Sequence, residues 1–191
     1  MLFNIISQIN WLDLVIIVII FRVCYIAIEA GVFVELFKIL GTLAAIYFSL
    51  HYYTSLGFSI QNTLGLKNIS LQFFNFISAL VISIFSYFVF VILRKVALRA
   101  GKTESIPLFS KWGGIILGIT RSFLLASLIL FMLAICGNSY LKESVKYSYT
   151  GSRIFKVAPD TYSLLWEGLF SKFAPTERLN KSVTEVQKSI K

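Results

Sequence analysis

The chain has 191 residues, 57% of them apolar and only 14% charged, with a mean hydropathy of +0.80. A single soluble domain of that size has too much surface for its volume to hide so much apolar area, and a disordered chain would be poor in aromatics, which here make up 16% of residues. Lipid is therefore the expected solvent for much of the chain, and the net charge of +9 reads as loop charge that orients a membrane protein, so no nucleic-acid partner is expected.

A bilayer core needs about 20 mostly apolar residues per helix. Residues 1–10 contain no Lys or Arg and no small-residue cleavage site, so no secretory signal is expected there. The first span is expected over residues 12–28, entered through Trp11 and Asp13 at the interface and interrupted by Arg22. Glu29, Ala30 and Gly31 leave room only for a tight hairpin. The second span, residues 31–50, contains Glu35 and Lys38. Residues 51–71, with Gly57, Asn62, Gly65 and Asn68, are expected to form a loop. The third span, 72–93, carries no charge and can face lipid all round. Residues 94–112 are basic and contain Gly101 and Pro107, which should break helix. The fourth span, 113–136, holds Arg121.

After Asn138 the composition shifts to nine basic and five acidic residues, as in an aqueous segment. Leu165, Trp166, Leu169, Phe170 and Phe173 recur at spacings of three and four, which predicts an amphipathic helix over about residues 161–173, capped by Asp160 or Thr161. Its apolar face fits either the membrane surface, with Trp166 interfacial, or the helix bundle. Residues 175–191 are expected to be mobile. The architecture is thus all-α: a polytopic membrane protein with a four-helix transmembrane region over 1–137 and an aqueous or interfacial tail over 138–191. Positive charge is densest at Arg94, Lys95, Arg99, Lys102 and Lys111, which places that loop in the cytoplasm and the tail in the periplasm.

The residues that could carry function are the charges inside the apolar runs. One such charge at mid-bilayer costs about 2.5–3.5 kcal/mol on insertion scales, so it is expected to face protein, a polar cavity or a partner. Glu35 and Lys38 are three apart and can meet on one helix face. Arg22 and Glu29 share a face two turns apart. Arg121 lies too deep to be a flanking residue; it can snorkel, line a polar path, or pair with Glu35 across the bundle, and pairing is preferred because an unpaired Arg is the costly state. Gly114 and Gly118 have the spacing that lets a second helix approach closely, and with Gly113 and the hairpin Gly31 they suggest a packed seam.

Two cysteines, Cys24 and Cys136, are read as packing residues. The single histidine, His51, adjoins Tyr52 and Tyr53 and reads as a member of an interfacial belt. No metal-binding motif, phosphate loop or nucleophile elbow appears, so neither a cofactor nor an enzymatic activity is expected.

Three passages together resemble the colicin V production protein family of bacterial inner-membrane proteins. These are Trp11-Leu12-Asp13 ahead of the first span, Gly31-Val32-Phe33-Val34-Glu35 at the hairpin, and Lys111 to Arg121 with Gly114, Gly118 and Arg121 in family spacing. The likeness runs from about Trp11 to Ala134. Ala30 and Val34 stand where the family has hairpin arginines, Ser110 where it has Asp, and Ser122 where it has Gly. The resemblance implies an integral inner-membrane protein linked to toxin production or export. The expected function is accordingly a non-enzymatic membrane factor for toxin (colicin) biosynthesis or export, acting with lipid, further copies of itself or other membrane proteins. The alternative is a small channel or transporter subunit whose polar path is lined by Arg121, Glu35 and Lys38, which would need several copies to enclose a pore.

Overall fold

The computed structural model describes residues 10–66, 68–100, 107–173 and 177–190, and among them every regular element is helical. Three helices are long and apolar enough to cross a membrane: α1 (Trp11–Leu64), α2 (Leu71–Ala100) and α3 (Pro107–Ile135). Six shorter elements follow: α4 (Ser139–Tyr147), α5 (Gly151–Ile154), α6 (Val157–Leu165) continuing through a π-helical turn (Trp166–Phe170) into α7 (Ser171–Phe173), and α8 (Lys181–Ile190).

The 54 residues of α1 do not form one straight rod. Gly31 has φ 74° and ψ 164°, a backbone region essentially restricted to glycine. In a straight helix Ile16 and His51 would lie about 52 Å apart. Yet Ile16 packs beside Gly151, and His51 Nδ1 lies 2.9 Å from the Tyr162 hydroxyl. Gly151 and Tyr162 belong to consecutive short helices and are only eleven residues apart, roughly 17 Å at helical rise. The chain therefore reverses at Gly31, within the expected Glu29–Gly31 turn, and residues 11–30 run back alongside 32–64.

Several helix ends fall away from the positions expected from glycine and charge content. Residues 51–64 are helix rather than loop, and α1 ends where Gly65 takes the left-handed conformation (φ 67°) and its N–H reaches Asn62 O at 3.2 Å. Gly57 does not break the helix; it lets α2 approach, since a methyl there would lie 3.0 Å from the Asn75 backbone nitrogen. The basic stretch 94–100 extends α2 because Arg, Lys, Leu and Ala are good helix formers, and Pro107 opens α3, where its missing N–H is harmless. Lys67, Lys102 and Glu104 lie outside the described residues, so part of the charge pattern used for orientation does too.

Both α2 and α3 pack chiefly on α1 rather than on each other. Gly41 faces Phe90 and Gly57 faces Asn75, so α2 runs antiparallel to the second limb of α1. The described part of the tail is mostly helical. α6 begins at Val157, so Asp160 and Thr161 lie inside it instead of capping it, and the Thr161 hydroxyl donates to Val157 O at 2.6 Å. The segment expected to be mobile forms α8, which buries Val183 and Ile190 with Leu179 and Val186 packed against the core. Their spacing of four, three and four is a helical stripe, hidden in the sequence by the surrounding charges.

Substituting Gly31→Ala should destabilise the protein by about 1–3 kcal/mol, the cost of holding a Cβ in this backbone region. The check is reversible unfolding in mixed micelles followed by circular dichroism. Unchanged stability would mean that the reversal does not depend on this glycine.

Candidate functional site

Glu35 lies one helical turn beyond the Gly31 reversal, and its residue is completely buried. Lys38, one turn further along the same helix, places Nζ 2.5 Å from Glu35 Oε1. Arg121 reaches the same carboxylate from α3. Its Nε lies 2.9 Å from Oε2, an ion-pair contact without hydrogen-bond alignment, and Nη2 donates to Oε1 at 3.4 Å. Arg121 is 5% exposed, so screening by water is weak, and the attraction is stronger than the same contact would be at a surface. One carboxylate thus serves two cations.

The glycine seam makes this contact geometrically accessible. A methyl on Gly114 would sit 3.1 Å from Ala27 O and 3.3 Å from the Gly31 carbonyl carbon. Methyls on Gly118 and Gly113 would overlap the Ala27 and Val32 side chains. The first turns of α3 therefore lie directly against the hairpin tip, and Arg121, one turn past Gly118, reaches Glu35. Arg22 stands apart from this cluster: it is exposed on the first limb, as is Glu29, and neither forms an ion pair among the described residues.

A second polar constellation lies at the opposite end of the bundle. Asp13 is buried. Its Oδ2 accepts from Asn10 N at 2.8 Å, closing an N-terminal capping box, while Oδ1 accepts from the Ser148 hydroxyl at 2.6 Å and Thr150 N at 2.8 Å. Trp11 stacks on Tyr140 with ring centroids 6.5 Å apart. Trp166 is nearly buried and stacks on His51 at 5.2 Å, and Tyr47 also stacks on His51, at 5.5 Å.

His51 joins three parts of the chain. Asn180 N donates to the Tyr162 oxygen at 3.0 Å, which leaves the phenolic proton for His51 Nδ1. The complementary histidine tautomer then carries its proton on Nε2, 3.0 Å from Glu177 Oε2. Burial pushes the Tyr162 phenol above its ordinary range, so it remains a proton donor at neutral pH. Asn180 Nδ2 also donates to Leu50 O at 2.9 Å. Residues beyond position 160 supply most of this network, and no local signal in the sequence pairs them with a histidine more than 100 positions earlier.

Among the described residues no cluster of His, Cys, Asp or Glu could hold a metal ion. The chemistry of the Glu35 cluster is charge compensation: the space beside Lys38, between Phe37, Tyr87 and Arg94, admits no water-sized body.

Comparison with known families finds that the model described as colicin V production protein matches residues 12–159. No curated protein and no solved structure matches the chain. The match includes the reversal, the glycine seam and Arg121, and it ends before Tyr162, Glu177 and Asn180.

Removing one partner from a buried ion pair leaves a charge uncompensated, at about 3–5 kcal/mol. Glu35→Gln strands two cations, whereas Arg121→Gln leaves Glu35 paired with Lys38. Glu35→Gln should therefore lower stability by that amount and Arg121→Gln by clearly less, measured by unfolding in micelles. The reverse order would show that Lys38 does not compensate Glu35.

Proposed function

The chain belongs to the colicin V production protein family, and from that premise we propose that it is a non-enzymatic factor of the bacterial inner membrane that supports toxin (colicin) biosynthesis or export. It crosses the bilayer four times: with limbs 11–30 and 32–64 antiparallel, α1 supplies two crossings and α2 and α3 one each. The basic ends of α2 and α3, with Arg94, Lys95, Arg99 and Lys111, lie on the cytoplasmic side. The tail then lies in the periplasm, and it acts on other membrane proteins rather than on nucleic acid.

The observation that carries this reading is that the three charges enclosed by the bundle, Glu35, Lys38 and Arg121, contact one another within the chain. Glu35, Lys38 and Arg121 satisfy one another against a tightly packed seam, an arrangement suited to holding a scaffold together. Charges lining a solute path would face a cavity or a pore axis; the space beside Lys38 admits no water-sized body. The channel alternative would therefore need the cluster to open on assembly.

Two measurements test the proposal. In a colicin V-producing strain that lacks its own family member, expression of this chain should restore toxin in the medium; no restoration, with the chain present in the membrane, would overturn the reading. Liposomes containing the purified chain should show no ion or solute flux, and flux abolished by Arg121→Gln would favour the channel instead. Reporter fusions at residue 190 check the orientation: active phosphatase with dark green fluorescent protein is expected, and the opposite pattern would place the tail in the cytoplasm.

A further inference from the structure

We propose that the protein holds one anionic lipid in a composite site, with an acyl chain between α1 and α2 and the acidic headgroup against Arg178 and Lys181. A groove of about 550 Å³ runs between the two helices, a size within the range of ligand sites. Its walls are almost wholly apolar and include Phe48 and Leu56 of α1 and Phe85 and Val89 of α2. A second pocket of about 460 Å³ is lined by His51, Thr54, Glu177, Arg178 and Lys181 among others. Tyr52 and Ser55 line both, so the apolar groove and the ionisable pocket adjoin at these two side chains.

The depth of each part matches the part of a lipid it would hold. From the Gly31 tip to His51 is 20 helical residues, about 30 Å, one bilayer core. With the tip at one face, Tyr52 lies at the other, at headgroup level. The groove runs from Ser59 past Tyr52 and Phe48 to Ala44, and its Phe48–Ala44 part lies in the acyl layer. Amphipathic Tyr52 stands at the junction, as tyrosines do at membrane interfaces.

Charge selects the headgroup. Glu177 is the one acid lining the polar pocket, and its carboxylate already accepts from the Tyr52 hydroxyl at 3.1 and 3.3 Å and faces His51 Nε2 at 3.0 Å. Arg178 and Lys181 are exposed and have no ion-pair partner among the described residues. A purely apolar occupant, such as a helix of a second copy, would leave both cations uncompensated. A lipid phosphate within their reach would not. Residues 177–181 lie beyond the stretch matched by the family model, whereas the groove lies within it.

The test is native mass spectrometry of the full chain from micelles doped equally with anionic and zwitterionic glycerophospholipids of identical acyl chains. One anionic lipid should be retained per chain with about a tenfold preference, the scale of two exposed charge contacts. Replacing both exposed cations, Arg178→Gln with Lys181→Gln, should abolish the preference without loss of helix content. Filling the acyl part of the groove from its exposed wall, Val89→Trp, should abolish retention of either lipid. Equal retention of the two lipids by the wild type would overturn the proposal, as would a preference that survives the double replacement. Binding of inorganic phosphate alone, with no lipid retained, would assign the pocket to a free anion; a dimer that buries the groove without lipid would assign it to a second copy. Either result also overturns the proposal.

Discussion

The Glu35 carboxylate is the point on which the bundle's organisation depends. It is the one anion paired with both Lys38 and Arg121, in a region shielded from water, where an unpaired charge is expensive. To serve both cations it must lie where α1 and α3 nearly touch. That requirement explains why three features occur together: the Gly31 reversal one turn before Glu35, the glycines of α3 facing Ala27 and Gly31, and Arg121 one turn after Gly118. Small residues permit the approach, van der Waals contact along the seam supplies attraction that lipid alone would not, and the ion pairs fix the register of the approach.

The other end of the bundle is held by different forces. There the tail docks through hydrogen bonds whose members are largely neutral. The Ser127 hydroxyl of α3 donates to Phe155 O at 2.9 Å and accepts from Ala158 N at 2.7 Å. Asp13 ties the start of α1 to Ser148 and Thr150. Aromatic stacking reinforces this end, with Phe170 3.6 Å from Tyr47 and Trp166 covering His51. Each such bond contributes only about 1 kcal/mol net, but leaving a buried partner unmade costs more. The tail is therefore an integral part of the fold, closing the end of the bundle remote from the hairpin tip.

How much of this was legible in the sequence depends on the range of the interaction involved. Composition identified the solvent, and glycine spacing with isolated charges marked Gly31, Glu35, Lys38, Arg121, Gly114 and Gly118, because helix periodicity and the cost of charge in lipid are local rules. Helix ends were less legible. Gly57 and Asn62 suggest a loop by composition, but Gly57 is there for packing against Asn75. The dense charge of residues 177–190 concealed the stripe Leu179, Val183, Val186 and Ile190. Least legible was the His51 network, since Tyr162, Glu177 and Asn180 meet the histidine only through tertiary folding.

The distribution of apolarity gives an argument for the membrane that composition alone does not. Over the most apolar stretch of each long helix, that of α2 ranks highest, that of α1 next and that of α3 lowest, and the burial of these stretches inside the protein follows the opposite order. In water the most apolar helix would be the most buried, because burial is what removes apolar area from solvent. Here the helix without charges in its apolar span has the least protein around it, while α3 lies deepest, carrying Arg121, Ser122 and Ser127 as buried polar residues. That inversion is what a hydrocarbon solvent requires: apolar surface outward costs nothing, and polar groups must find their partners within the protein. The few charges of the chain are thus placed by the same rule that sets its hydrophobicity. Arg22 and Glu29, on the exposed side of the first limb, are the exceptions, and their long side chains can carry charge towards the interface in a way that the enclosed Glu35 cannot.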